Sequence, residues 1–335
     1  MQKVRLADIA QQLGVSTVTV HNALSGRKGV SDEMRAKIVK TAKEMGYEAA
    51  SASRKKKETE QVWKIGVLIA ENYLAQHATY YWKMYQEFAL AAVEKHCYTT
   101  IEVLKKEAEV HTLEIPDALQ GKDVDALAVI GEIDIKYIRN LRQQMQKPLV
   151  FLDFYNFEIA NDAVVADNFH AMYQMTELLF AQGLEDLAFV GSIDATSSIM
   201  DRYCGFMKAM ITHHKTVAEE WMIQDRDEMG NLGFELPAYM PQAFVCNCDL
   251  IAGMLIAKLE AAGYRVPEDI SVVGFDNFVY PGYTKTKITT YEVDMKAMTK
   301  TALDKLLKQL RTPGRSRSMD VVSGSIRWKG SVKMK

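Results

Sequence analysis

"LADIAQQLGVSTVTVHNALSG", residues 6 to 26, holds two short helical patterns parted by a single glycine. Leu6, Ile9, Ala10 and Leu13 fall at helical spacing and predict an amphipathic helix of about two turns. Gly14 ends it, because glycine takes the left-handed backbone of a C′ position without steric cost. Ser16 is placed to N-cap a second helix over 17–24, with Val15 turned back toward the core. Alanine at position 10 lets the two helices cross closely. Ser31 can cap a third helix, in which Met34, Ile38, Ala42 and Met45 make the buried stripe before Gly46 stops it. Residues 1–47 are thus predicted to form an all-α helix-turn-helix domain.

A short second helix held off a first by a tight turn can enter the DNA major groove, its N-terminal residues on base edges. Thr17, Val18, His21 and Asn22 are then the candidate readers. Asn22 can pair in bidentate fashion with adenine, and Thr17 and Val18 offer methyl groups to a thymine methyl. Ser16, Thr19, Arg27 and Lys28 suit phosphate oxygens, and Ser31 joins this DNA-contacting set. The plainer reading is a small helical subdomain with a solvated basic face, or a protein-docking module. Charge argues for DNA: residues 1–58 hold 12 Lys and Arg against 6 Asp and Glu, while the remainder holds 29 against 37. The net −2 of the whole chain hides a basic head on an acidic body.

At 335 residues, 48% apolar and 25% charged, the composition is that of a globular protein of more than one domain. The opening "MQKVRLADIA" has no apolar signal-type region, and runs such as "IGVLIA" (65–70) are too short to cross a bilayer, so a cytoplasmic location and no membrane partner are expected. Cys97, Cys204, Cys246 and Cys248 form no C-x-x-C and read as reduced thiols. The seven histidines, including His213 and His214, show no metal spacing, so neither metal nor cofactor is expected.

The stretch "RLADIAQQLGVSTVTVHNALSGRKGVSDEMRAKIVKTAKEMGY" resembles the N-terminal domain of the lactose-repressor (LacI/GalR) family of bacterial transcription regulators. Asp8, Ala10, Gly14, Val15, Ser16, Thr19, Val20, Val30, Ser31, Arg35 and Tyr47 match the family pattern at fixed spacing. The resemblance implies base contacts by Thr17, Val18 and Asn22, with His21 where serine is more frequent. It also implies a hinge over 48–61, which in the family begins with Pro-Asn and carries a wedge leucine. Here no proline follows Tyr47 and Lys56 stands at the wedge position, which predicts a weaker or differently shaped DNA bend. Arg54 to Lys57 can still attract phosphates or a narrow minor groove, and by composition a flexible polar linker is an equal reading.

From Trp63 onward short apolar strands alternate with amphipathic helices: "KIGVLIA" (64–70), "TTIEVL" (99–104), "ALAVIG" (126–131), "LVFLDF" (149–154), "LAFVGS" (187–192), "AFVCNC" (243–248) and "ISVVGFD" (270–276). Continuous apolar strands joined by helices predict parallel sheets covered on both faces. Residues 62–335 exceed one ordinary domain, so two doubly wound α/β lobes are expected, an N-lobe of 62–160 with 293–318 and a C-lobe of 161–292 with 319–335. This body resembles the family's effector-binding core, which is like a periplasmic sugar-binding protein, on "DRYCGF" (201–206), "VCNCDLIAGMLIAKLEAAGYRVPEDISVVGFDN" (245–277) and "ITTYEVD" (288–294).

Ligand chemistry is expected at the carboxyl ends of the strands, where the lobes face each other. The planar fork of Arg202 suits hydroxyls, a carboxylate or a nucleobase edge, and Asp276, just past "ISVVGF", can accept two hydroxyl protons. Asp153 ends "VFLDF" in the other lobe, so a polyol could be gripped from both sides. The plain alternative for Arg202 and Asp276 is a structural ion pair. Ser198 is a weaker carry-over, and where the family places a ligand-contacting asparagine this chain has Cys248, with Asn247 one residue earlier. Val293 and Met295 likewise stand where the family often has polar or aromatic contacts. In "TYYWKMY" (79–85) Trp82 and Tyr85 read as core, and Tyr80 is a candidate for stacking on ligand. "RTPGRSRS" (311–318) reads as a solvated loop at a lobe crossing.

Together these readings predict a sequence-specific DNA-binding regulator, a repressor, acting as a homodimer on double-stranded operator DNA under control of a small-molecule effector, sugar-like or another metabolite. The chain has no G-x-S-x-G, no G-x-G-x-x-G after its first strand and no G-x-x-x-x-G-K, so an enzyme is not expected. A solute-binding protein without a DNA role fits the body but not the basic head.

Overall fold

The computed structural model describes residues 4–25, 27, 29–47, 62–74, 80–120, 123–159, 161–227, 229–280 and 282–335. The chain divides into two compact units, after Val62.

In the first unit α1 (Leu6–Leu13), α2 (Thr17–Leu24) and α3 (Asp32–Glu44) pack around Ile9, Val20 and Ile38, none of which touches solvent. Ala10, Ala23 and Ala42 complete the buried set, and Leu13, Val15, Met34 and Tyr47 close it as half-buried residues. Gly14 adopts φ +63° and its N–H donates to the Ala10 carbonyl, with the Val15 N–H reaching the same oxygen at 3.1 Å. One carbonyl of the last turn of α1, that of Ala10, thereby accepts both N–H groups. The Ser16 hydroxyl accepts from the Thr19 N–H at 3.0 Å, and the Ser31 hydroxyl from the Met34 N–H at 3.3 Å. Arg35 fastens the far end of α2: its guanidinium donates to the carbonyls of Ala23 (2.8 Å), Asn22 (3.2 Å) and Arg27 (2.7 Å). A cation at a helix C-terminus is the favourable arrangement for the helix dipole.

The second unit holds two six-stranded sheets. The first contains β1 (Trp63–Ala70), β2 (Cys97–Leu104), β3 (Ala126–Ile130), β4 (Leu149–Leu152), β5 (Asp162–Ala166) and β11 (Met319–Val322), ordered β11-β5-β4-β3-β1-β2 and parallel throughout. The second contains β6 (Leu187–Val190), β7 (Met222–Ile223), β8 (Ala243–Cys246), β9 (Ser271–Asp276), β10 (Thr289–Glu292) and β12 (Ser325–Arg327), ordered β12-β10-β9-β8-β6-β7. Only β12 runs antiparallel to its neighbour β10. Val67, Leu68 and Ile69 have no exposure although they point alternately to opposite faces, as a doubly covered sheet requires.

Helices α4 (Tyr80–Glu94), α5 (Ile135–Gln144) and α9 (Met295–Arg311) pack on the first sheet or its flanking helices, and α6 (Asn168–Ala181), α7 (Ser197–Thr212) and α8 (Asp249–Ala261) belong to the second lobe. Gly205 of α7 lies so close to α6 that a Cβ there would stand 2.2 Å from the Phe169 carbonyl. Only glycine permits that crossing.

Two expected lobe limits need correction. The chain passes from the first lobe to the second after β5 at Ala166, not at 160, and again after β11 at Val322, not at 318. "DAVVA" and "MDVV" are short strands, the second at the edge of the first sheet and the first beside it, and few residues carry a pattern there. The 311–318 segment is largely exposed, as expected of a solvated loop, but it is not a lobe crossing. It joins α9 to β11 within the first lobe, and it is docked: Arg315 pairs with the buried Asp162, whose other oxygen accepts from the Ser318 N–H at 2.9 Å. Trp82, expected in the core, is 43% exposed; the helical stripe facing the sheet is Tyr80, Met84 and Phe88 instead.

Candidate functional site

On α2 the side chains of Thr17, Val18 and His21 are exposed, Val18 to 65%, and Asn22 is half-buried. An exposed valine on a helix whose opposite face holds Val20 and Ala23 is unsupported by packing in the isolated domain. Ser16 and Thr19 join hydroxyls at 2.8 Å at the start of the helix, where N–H groups attract phosphate. Arg27 and Ser31 are exposed on the following loop and cap. Lys28, Arg54 and Lys57, named above as DNA contacts, lie outside the described residues.

In the core, two aspartates end strands that face each other across the lobes. Asp153 follows β4 with φ +71°, and Asp276 ends β9 with φ +98°, a backbone region that non-glycine residues enter at a cost of order 1–3 kcal/mol. Both are buried, at 4% and 8% exposure. Between them stands Arg202 of α7, its Nε donating to Asn168 Oδ1 at 2.8 Å, its Nη1 to the Asn247 carbonyl at 2.9 Å, and its guanidinium 4.0 Å over the Phe275 ring. Among the described residues Arg202 therefore takes part in no direct carboxylate pair; it is aimed by neutral acceptors and a ring.

Burial pushes the Asp153 carboxyl up to about 6 despite the pull of Arg202 and a hydrogen bond from Tyr81. Burial likewise pushes Asp276 up to about 7, against the Phe278 N–H and Arg202, with Asp153 adding to the rise. Oδ1 of Asp153 and the hydroxyl of Tyr80 are buried with no hydrogen-bond partner among the described residues. Such groups cost free energy unless something polar reaches them.

The two lobes are latched around this point. The Ser198 hydroxyl donates to the Asp153 carbonyl at 3.0 Å, the Ser197 N–H and hydroxyl to Glu132 Oε2 at 2.7 and 2.8 Å, and the Tyr155 hydroxyl to Asp201 Oδ1 at 3.0 Å. Beside the latch lies a cavity of about 520 Å³ lined from both lobes, with Tyr73 and Glu132 on one side and Arg226 and Met229 on the other. Rings surround the aspartates: Tyr73 and Tyr81 centroids lie 4.3 Å apart, Tyr80 and Tyr81 5.3 Å, Tyr80 and Phe278 6.4 Å.

The structure thus brings Arg202, Asp276, Asp153, Ser198 and Tyr80 together. Cys248 is half-buried at the N-cap of α8 beside Asp276, and burial holds its thiol up at about 12, so it is neutral. The Asn247 side chain turns away from the cleft, donating to Asp225 Oδ2 at 2.6 Å and to the Val190 carbonyl at 3.1 Å. Only its backbone serves the site, by aiming Arg202. Tyr73, Tyr81, Phe278 and Glu132 were missed in the sequence. Glu132 was findable, since it stands two residues past the end of β3, beside the strand end that Asp153 follows; the rings come from segments that only the fold assembles.

A small basic helix-turn-helix and a two-lobed receptor with convergent polar groups define a DNA-binding regulator that senses a solute. The family model for bacterial regulatory proteins of the lacI family matches residues 5–49, and that for a periplasmic binding protein-like domain matches 176–332. The chain thus carries a helix-turn-helix domain of the lacI family and a periplasmic-binding-protein-like domain. It is 25% identical over 338 residues to the HTH-type transcriptional repressor PurR of Photobacterium profundum, covering 98% of both chains, and 26% identical over 317 residues to PurR of Pectobacterium carotovorum, covering 91% and 90%. Its fold is that of the lac repressor dimer bound to operator and the anti-inducer ONPF (TM-score 0.66, 20% identity, 98% and 99% covered) and of the regulator CelR in complex with cellobiose (0.67, 16%, 98% and 100%). No helix among the described residues is long and apolar enough to cross a membrane, and no group of three or more His, Cys, Asp or Glu among them is placed to hold a metal ion.

Proposed function

We infer that this DNA-binding repressor of the lacI family is switched by a small molecule closed between the two lobes of its core, at Arg202, Asp276 and Asp153. The observation that carries the reading is a buried carboxylate oxygen, Asp153 Oδ1, without a hydrogen-bond partner among the described residues, beside the Ser198–Asp153 bond that joins the two lobes. A ligand group there would remove the penalty and add to the latch. Thr17, Val18, His21 and Asn22 read bases, and Ser16, Thr19, Arg27 and Ser31 hold phosphates. The protein works in the cytoplasm as a homodimer that sets two α2 helices on half-sites of a pseudo-palindrome. Its solved neighbours support this: one is a repressor dimer on operator, another holds a disaccharide. Switching requires only that the effector bind the DNA-competent and DNA-incompetent arrangements with different affinity.

The test is to select duplexes from a random pool with the full-length protein, then screen metabolites for those that raise its melting temperature and change its grip on the selected duplex. Arg202→Ala is expected to keep the operator and lose the response. A normal response in that variant removes Arg202 from the site, and no preference among duplexes at low ionic strength ends the regulatory reading.

A further inference from the structure

The cleft holds more negative charge than its own side chains neutralise. The cavity beside the latch is bordered by Glu71, Glu109, Glu132 and Asp134 against Lys106 and Arg226. Arg226 is already spent on Asp225, through Nε and Nη2 bonds of 2.9 Å each to the two carboxylate oxygens. The acidic groups are also pre-aimed by backbone amides: Glu71 accepts from the Lys106 N–H at 2.7 Å, Glu109 from the Asp134 N–H at 2.9 Å, and Glu132 from the Ser197 N–H. Behind them Asp153 and Asp276 share one cation, Arg202, which forms hydrogen bonds to Asn168 and the Asn247 carbonyl rather than to either carboxylate.

A group of acidic residues alone identifies no ligand. Here a second feature does: Asp153 is 4% exposed, its Oδ1 has no partner among the described residues, and it sits against the ring cluster of Tyr73, Tyr80 and Tyr81. Aromatic faces and a desolvated carboxylate together favour a cation and disfavour an anion. A neutral polyol could use the hydrogen-bond acceptors, but it would leave the surplus charge where it is.

We propose that the effector of this protein carries a positively charged nitrogen, an ammonium or an alkylammonium, seated against Asp153 beside Tyr80 and Tyr81, next to the acidic cavity that Tyr73 and Glu132 line. The proposal rests on the reading of the cleft as the effector site and adds the charge of the ligand. The same field disfavours phosphorylated and carboxylated metabolites.

The experiment uses probe pairs alike in shape and unlike in charge: glucosamine with glucose, and choline with its carbon isostere dimethylbutanol. Each is titrated calorimetrically into the full-length protein near neutral pH. The cationic member of at least one pair is expected to bind about tenfold or more tightly than its neutral partner. That preference is expected to vanish in Asp153→Asn and to shrink in Glu132→Gln, each variant being checked for retained operator binding. Because Asp153 and Asp276 hold protons that a bound cation expels, binding of the cation is expected to release protons to buffer and to strengthen as pH rises from about 5 to 7. Equal or better binding of the neutral members, or no binding of either cation at millimolar concentration, overturns the proposal. If the neutral members bind and Arg202→Ala abolishes that binding, the cleft stands and only its charge preference falls. Binding that survives both Asp153→Asn and Arg202→Ala lies elsewhere, and both readings fall.

Discussion

In the head, Ser16 caps a helix through an amide three residues away, and Gly14 closes a turn through a carbonyl four residues back. In the core, the Asp153 carbonyl meets Ser198 across 45 residues, and Gln309 bonds Asp162 across 147. One region is specified by short-range chemistry and the other by pairings that exist only once two sheets have formed. The difference shows in what each can lose. The head depends on a handful of buried side chains, the core on two sheets with apolar layers on both faces. Small units sit near the limit of what a single core can stabilise.

The largest effect expected from this contrast is in the head. Ile38→Ala removes one of its fully buried aliphatic side chains and should cost about 3–4 kcal/mol, enough to unfold a unit of this size. Operator binding should disappear while the melting of the core, followed by calorimetry, stays put. A core transition that moves with it would break the division into two units.

Next is the pH response of the core. The folded protein holds a proton on Asp276 up to about 7, whereas the carboxyl is ordinarily half-ionised near 3.8. The folded state thus binds more protons than the unfolded chain between those values, so stability falls as pH rises through that window, by roughly 2–4 kcal/mol. Asp276→Asn should flatten that slope in thermal melts of the ligand-free protein. An unchanged slope would mean that other groups carry it.

Asn22→Ala should cost about 1–3 kcal/mol of discrimination at one operator base pair, read as relative affinity for duplexes differing there. Equal weakening on all sequences would return Asn22 to the phosphate-contacting set. The smallest effect is expected at the latch. Ser198→Ala deletes one bond between lobes and should weaken effector binding by about 1 kcal/mol with operator affinity in the absence of effector unchanged.

The contrast also explains how much could be read in advance. Gly14, Ser16 and Ser31 announce their roles because capping and turn chemistry act within one helical turn. The strands with long apolar runs announce theirs for the same reason. Trp82 was misplaced because "YYWKMY" offers several helical stripes and only the sheet beneath selects one, that of Tyr80, Met84 and Phe88. Asn247 was misread because the partner that turns its side chain away, Asp225, lies on a loop whose position no local pattern reveals. Asp276 was located by its strand-end position and Arg202 by the family pattern, but that Arg202 is held by the neutral acceptors of Asn168 and Asn247 was invisible.

By itself the sequence determined the helix-turn-helix, the basic head on an acidic body, the alternation of strands and helices, and the polar residues placed at strand ends. All of these follow from spacing, charge and backbone preference along a few consecutive residues. Only the tertiary structure decided that β11 edges the first sheet beside β5, that Asp153 is buried with an oxygen that has no partner among the described residues, and that acidic groups from separate loops crowd one cavity. Burial and the summed field of distant charges are properties of the assembled volume, and they exist only after the chain has closed on itself.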